Sequence, residues 1–262
     1  MMPALHTGDA DTLATIDEMV AANLAVLGDR LVGVYVYGSL VTGDFDPVVS
    51  DIDLVAVLTD ALDVGDYDPL RAAYAGVTAA HPRWHNRVEL AYIPLAELRT
   101  YRADYEQPMF SHGDGFEVCT VGVDWLLNRE TLRRCGAALY GPEPARLIDP
   151  LPPAAVTELV RELAVMWRDW VAGDVAPLGY LGYRAYAVLT LCRCAYTSAH
   201  GGAVTSKRAA AAWAAVRHPA WAPLLARALE IYGAGGGPGP DDVLPVRDVR
   251  RFSTAVLADA VR

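Results

Sequence analysis

The run Val34-Tyr35-Val36-Tyr37-Gly38-Ser39-Leu40-Val41-Thr42-Gly43-Asp44, followed shortly by Ser50-Asp51-Ile52-Asp53-Leu54-Val55, decides how this chain reads. An apolar, β-branched segment ends at Gly38-Ser39, where a tight turn is expected, and a second apolar strand opens with Asp-x-Asp. Alternate side chains of a strand share a face, so Asp51 and Asp53 are expected to project together while Ile52 and Leu54 point the other way. Paired carboxylates suit a hard divalent cation, and Mg²⁺ commonly joins one or two of them to nucleotide phosphates. The Gly38-Ser39 turn adds uncluttered backbone N–H groups and a hydroxyl for those phosphates. An isolated Asp-x-Asp is more often a turn at a solvated edge. The glycine-serine turn upstream reverses that balance.

Two other phosphate or nucleophile readings fail on single residues. Gly38 and Gly43 have the spacing of a Walker loop, but the next residue should be lysine and is Asp44, which repels phosphate. Gly38-Ser39-Leu40 is no nucleophile elbow, because that turn needs glycine two positions to either side of the serine, and Tyr37 and Val41 occupy them.

Outward from this segment, the chain has 262 residues, 53% of them hydrophobic and 21% charged, the composition of a folded globular protein. No apolar run approaches the ~18 residues of a membrane helix, so no membrane partner is expected. With 22 basic against 32 acidic side chains the net charge is −10, which lacks the electrostatic footprint of a nucleic-acid binder. The first residues resemble no export signal and four irregularly spaced cysteines form no disulfide framework, so the expected address is the cytoplasm, with the cysteines as small packing residues.

The charge is unevenly divided. Residues 1–150 hold 10 basic and 23 acidic side chains, and residues 151–262 hold 12 and 9. Gly141-Pro142-Glu143-Pro144 and Pro150, Pro152 and Pro153 mark a linker at that boundary, since neither a helix nor a sheet interior tolerates such proline density. In the first part, Leu13, Ile16, Val20, Leu24 and Leu27 recur at helical spacing and stop at Gly28. Strands are expected at Leu31–Tyr37, Ile52–Leu58 and Val88–Ile93, with helices near Pro69–Ala80 and Val123–Leu139, giving an α/β or α+β domain. The second part reads as helices at Ala154–Val171, Gly179–Ala199, Ser206–Val216, Ala220–Tyr232 and Val246–Val261, a helical bundle. The glycine-rich stretch Gly233–Pro240 follows a helix, not a strand, and reads as a loop.

Gly38-Ser39 with Asp51-x-Asp53 resembles the signature of the nucleotidyltransferase superfamily that includes DNA polymerase beta. Within it the chain is most similar to the aminoglycoside (3'')(9) adenylyltransferases, through Tyr37-Gly38-Ser39, Ser50-Asp51-Ile52-Asp53-Leu54, Val88-Glu89, Asp124, Leu189-Thr190-Leu191-Cys192-Arg193, Lys207 and the helical second part. The resemblance implies an α+β architecture: a nucleotidyltransferase domain over residues 1–150, a mixed sheet with helices, then an all-α domain over 151–262. It implies Asp51, Asp53 and Glu89 as metal ligands and catalytic groups, with Glu89 as general base. A carboxylate inside an apolar strand is costly without a task or partner. The resemblance also implies nucleotide contacts by Gly38, Ser39, Ser50, Asp124, Arg193, Lys207 and Tyr232. Lys207 is the sole lysine of the chain and sits at a helix start, where anions are favoured. Basic groups of the second domain are then expected to reach a triphosphate in a cleft beside the acidic first domain.

The implied reaction is transfer of AMP from ATP, with Mg²⁺, to a hydroxyl of a small molecule, an aminoglycoside or aminocyclitol antibiotic by resemblance. The partner is thus a small hydroxylated acceptor, and the protein a monomer or homodimer. Acceptor positions taken from the resemblance fall at Glu89, Tyr105, Glu106, Gly179 and Tyr183. Gly179 and Tyr183 are neutral where the family carries acids, and the family's stacking tryptophan is not evident, the nearest positions by spacing being Tyr105 and Glu106. Asp169 and Asp174 are possible replacements, and Tyr180, Tyr183 and Tyr186 either pack or favour a less cationic, more aromatic or sugar-like acceptor. The alternatives are an adenylyltransferase for another metabolite and a nucleotide-binding, antitoxin-like regulatory module. His81 and His85 have metal-pair spacing, but Pro82 separates them, and Cys192-x-Cys194 is too tight for a zinc knuckle.

Overall fold

In the computed structural model, which describes residues 5–102, 104–111, 115–173, 176–237 and 239–260, the strand-turn-strand segment lies inside a six-stranded sheet. Helix α1 (Ala10–Leu27) starts at the Asp9 cap, whose carboxylate accepts from the Thr12 N–H at 2.9 Å, and ends at Gly28. Strand β1 (Leu31–Val36), short helix α2 (Ser39–Thr42), strand β2 (Ile52–Leu58), helix α3 (Val64–Ala80) and strand β3 (Val88–Pro94) follow. Then come α4 (Leu95–Arg99), β4 (Glu106–Ser111), β5 (Gly115–Thr120), α5 (Trp125–Cys135), β6 (Ala137–Tyr140) and α6 (Pro144–Leu147).

The sheet order is β5-β4-β3-β2-β1-β6. β2 and β3 are parallel, joined by the α3 crossover, and the other neighbouring pairs are antiparallel. This topology brings three chain segments to one end of the sheet: the exit of β1 and the entrances of β2 and β3. Strand alternation sorts the two faces. Ile52, Leu54, Val88, Leu90, Val34 and Val36 pack with Ile16, Met19, Leu70 and Tyr74 of α1 and α3. Tyr35, Tyr37, Val55, Val57, Ala91 and Ile93 face Leu98, Trp125, Leu132 and Leu147.

Two expectations need correction. The helix expected over Val123–Leu139 stops at Cys135, where the Gly136 N–H bonds the carbonyls of Leu132 and Thr131. The residues beyond it form β6, because β1 offers an edge that backbone groups of Ala137–Tyr140 satisfy. The β4–β5 hairpin was not legible, since Gln107-Pro108 interrupts its pattern. The α3 helix begins earlier than Pro69 because Asp63 and Asp66 form a reciprocal cap, with the Asp63 N–H donating to Asp66 at 2.8 Å.

The described chain divides into the units Met1–Pro150 and Leu151–Arg262. The second unit consists of α7 (Pro153–Ala172), α8 (Leu181–Ala199), α9 (Lys207–Arg217), α10 (Ala222–Gly233) and α11 (Val246–Ala260), with short 3-10 turns at Ala176–Gly179 and Pro219–Trp221. α8 is the hub: α7, α9, α10 and α11 all pack on it, and Ala185, Val188, Leu189, Leu191, Cys192 and Cys194 are buried. Cys135, by contrast, is exposed and Cys119 only partly buried, so the expectation of buried cysteines holds for Cys192 and Cys194 and not for these two. No helix of the described residues is long and apolar enough to cross a membrane.

Candidate active site

The register of the parallel pair carries the site. Asp53 on β2 lies directly opposite Glu89 on β3, and alternation puts both on the face shared by Val55, Val57, Ala91 and Ile93. Both are partly exposed at the rim of an otherwise buried surface. Asp51 precedes β2 and is also partly exposed, with an oxygen 3.9 Å from Arg87 Nε. The buried Tyr74 phenol donates to the Val88 carbonyl at 2.9 Å and is pushed up to about 12 by burial first, with the negative charges of Glu89 and Asp51 adding to it. Among the described residues, no three His, Cys, Asp or Glu side chains are gathered so as to hold a metal ion by themselves. The donor set is all carboxylate oxygen, which matches Mg²⁺, an ion that keeps water and phosphate ligands and needs only one or two protein carboxylates.

Gly38 joins this group from the exit of β1. The Tyr37 N–H bonds the Asp53 carbonyl at 3.1 Å, so the turn is stitched to β2. Gly38 has φ 69°, and a Cβ there would run into the Asp53 carboxylate, 2.7 Å from its Cγ. Only glycine allows that carboxylate to lie against the turn. Ser39 begins a helix rather than completing a bare turn: the N–H groups of Val41 and Thr42 bond the Gly38 carbonyl at 3.3 and 3.2 Å, and Gly43 ends the helix in the left-handed region. Ser50 is buried, and its hydroxyl accepts from the Asp46 N–H at 3.0 Å, so it closes the loop before Asp51. Asp124, expected within a helix, is instead the exposed residue preceding α5. The next residue, Trp125, tilts against Tyr37 with ring centroids 6.2 Å apart, which ties that helix end to the end of β1.

In the helical unit, Lys207 and Tyr232 come together: Lys207 Nζ donates to the tyrosine oxygen at 3.4 Å and lies 4.8 Å from its ring centroid. Tyr186 flanks the same ammonium at 4.6 Å, a contact the sequence did not suggest, since it left this ring open between packing and favouring a less cationic acceptor. Lys207 is the first residue of α9, capped by Ser206, whose oxygen accepts from the Ala209 N–H at 3.2 Å. Arg193 is partly exposed on α8. Tyr180 and Tyr183 are 50% and 51% exposed and pack edge-on at 6.4 Å, so they are not core residues. Gly179 has open space where a side chain would stand.

Of the other acceptor candidates, Tyr105 and Glu106 lie in the first unit and Asp169 lies on α7 in the second. Tyr105 is partly buried, its hydroxyl bonding Gln107 at 3.3 Å, and Glu106 is exposed at the start of β4. Asp169 pairs with Arg168, and Asp174 lies outside the described residues. His81 is no metal-pair member: its ring nitrogens lie 2.6 Å from Asp11 and 3.2 Å from Glu18, tying the end of α3 to α1.

Residues 9–98 match the nucleotidyltransferase domain family, and residues 146–258 match the aminoglycoside adenylyltransferase C-terminal domain family. The mixed sheet with its helical second unit and these matches define an enzyme of the nucleotidyltransferase class. An aminoglycoside (3'')(9) adenylyltransferase of Shigella flexneri is 28% identical over 238 residues, covering 85% of this chain and 86% of the relative. One from Escherichia coli matches to the same extent, 28% over 238 residues. The crystal structure of a spectinomycin adenyltransferase from Enterococcus faecialis, solved with ATP and spectinomycin, shares the fold with a TM-score of 0.70 at 18% identity, covering 95% of this chain and 98% of that one. Over 85% of its length the chain is thus similar to aminoglycoside (3'')(9) adenylyltransferases.

Proposed function

We propose that this protein transfers AMP from ATP to a hydroxyl of a small aminoglycoside or aminocyclitol antibiotic. The observation that carries the reading is the Asp53–Glu89 register beside the Gly38 turn, which sets carboxylates from two strands at one sheet end, with the Asp53 carboxylate against the turn that opens α2. Asp51 and Asp53 would hold Mg²⁺. When bound, the ion neutralises charge on the reacting and leaving phosphates. Glu89 takes the proton of the acceptor hydroxyl as its oxygen attacks the α-phosphorus in line, and pyrophosphate leaves. The Ser39 hydroxyl and the N-terminal N–H groups of α2 contact the phosphate chain. Arg193 and Lys207 are assigned to the departing pyrophosphate, and Tyr232 to the nucleotide. Cytoplasmic location and the split of roles between residues 1–150 and 151–262 belong to the same reading.

A second reading has its own observation. Gly179 and Tyr183 are neutral, and Tyr180, Tyr183 and Tyr186 present exposed rings in the helical unit, which favours a less cationic acceptor. The two are separated by measuring pyrophosphate release with ATP, Mg²⁺ and a panel of aminoglycosides, aminocyclitols and unrelated hydroxylated compounds, then weighing the product. A drug heavier by one AMP supports the first. Turnover with a neutral acceptor and inert aminoglycosides supports the second, and no turnover with any panel member leaves the regulatory alternative standing.

A further inference from the structure

Arg87 joins the entrances of β2 and β3 at the end where the carboxylates sit. Its backbone carbonyl accepts from the Ile52 N–H at 2.9 Å. Its guanidinium donates to the Ser50 carbonyl at 2.5 Å and the Pro47 carbonyl at 3.3 Å, and its Nε is 3.9 Å from Asp51 Oδ1. One residue therefore grips the chain on both sides of Asp51, by main chain after it and by side chain before it. The guanidinium lies over the Trp84 ring, 4.8 Å from its centroid. Trp84 is fully buried and stacks at 6.2 Å on Phe45, which comes from the loop leading to Asp51. That loop is further closed on itself, with Ser50 N–H bonding the Asp46 carbonyl at 2.7 Å and Val48 N–H bonding the Asp46 side chain at 2.9 Å.

We propose that Arg87 is a positioning residue that fixes Asp51 relative to Asp53 and Glu89, through the Ser50 and Pro47 carbonyls and the Trp84 ring. The inference rests on the reading of Asp51 and Asp53 as the Mg²⁺-binding pair. Charge alone would give Arg87 the opposite effect. A cation this close to Asp51 repels Mg²⁺, so if electrostatics were its whole role, removing it would tighten metal use. If it positions Asp51, removing it loosens metal use. The guanidinium is also specific: a lysine ammonium is a compact point charge on a different stem and does not reproduce the planar fork that reaches both carbonyls from beside the indole ring.

The test follows melting of the full chain at saturating ATP while MgCl₂ is titrated, for wild type, Arg87→Lys and Arg87→Gln. The Mg²⁺ concentration giving half of the ATP-dependent stabilisation is expected to rise by about 10-fold in both variants, the scale of outer-shell losses at metal sites. An unchanged midpoint in Arg87→Lys, or a lowered one in Arg87→Gln, overturns the proposal. If Arg87→Gln does not fold, Arg87→Lys decides alone, since it keeps the charge and loses only the geometry. A wild-type chain whose ATP stabilisation ignores Mg²⁺ overturns the underlying metal assignment instead, and this inference with it.

Discussion

Replacing Gly38 by alanine tests the site at its tightest point. The backbone there has φ 69° and ψ −144°, a region a residue with a Cβ enters at a cost of about 1–3 kcal/mol. The new Cβ would also lie 2.7 Å from Asp53 Cγ and 3.2 Å from Asp53 Cβ. Restoring an ordinary carbon–carbon separation of about 3.5–4.0 Å displaces the carboxylate by roughly 1 Å. A shift of that size in a catalytic group costs on the order of 10²-fold in rate. The strain is small beside a total stability of about 5–15 kcal/mol, so the Gly38→Ala chain still folds, with its melting temperature lowered by about 2–4 °C for each kcal/mol lost. The assay pairs pyrophosphate release with a melting curve. Gly76→Ala is the control: Gly76 lies exposed within α3 with nothing within 4 Å of a Cβ, and alanine there should stabilise by about 0.5–1 kcal/mol without touching turnover. A folded Gly38→Ala protein with undiminished turnover would refute the claim that Asp53 works from its place against this turn.

Glu89→Gln is expected to keep the ATP-induced rise in melting temperature and to lose turnover by about 10²-fold or more, the range for a general base; retained turnover removes Glu89 from the chemistry. Burying Glu130 against Arg129 at 3.0 Å, with Arg129 also donating to the carbonyls of Leu98, Arg99 and Asp149, makes Glu130→Leu cost about 3–5 kcal/mol by stranding a buried guanidinium. Urea denaturation reads this directly, and a midpoint equal to wild type refutes it. The His81 ring is raised above its usual pKa by its hydrogen bond to Asp11, with Glu18 adding to it. Folding thus favours the protonated ring, so its stabilisation is complete below the unfolded value near 6.5 and disappears as pH climbs through the higher folded value. Melting temperature measured across that window should fall more in wild type than in His81→Asn, and parallel curves would show that the α1–α3 tie does not titrate.

The strands that matter most were legible because their pattern is local. Continuous apolar runs at Leu31, Ile52 and Val88, cut by glycine, serine and aspartate, announce buried strands without reference to anything distant. The facing of Asp53 and Glu89 was not legible from spacing, because it depends on the parallel register of two strands separated by α3. It entered through the family resemblance alone. Strand β6 was missed for a related reason: Ala137–Tyr140 has the composition of a helix end, and only the open edge of β1 makes it a strand. Arg87 escaped notice because an arginine ahead of a strand looks like any solvated charge. Its signal is the pair of carbonyls it reaches across the neighbouring loop. In the helical unit the lysine and tyrosine were visible, and Tyr186 as their third member was not, since helical spacing does not tell an ammonium clamp from packing.

The pairing of Val34 with Tyr140 has a consequence for synthesis. β1 leaves the ribosome early and meets its outer neighbour only after every other strand has emerged. Until then its main-chain donors and acceptors stay open on one flank, next to the apolar residues Val34 and Val36. Unpaired flanks of this kind recruit other chains. A nascent protein stalled or clipped ahead of Ala137 is therefore a candidate for self-association, and the four residues of β6 act as the late clasp that makes the finished unit safe to release.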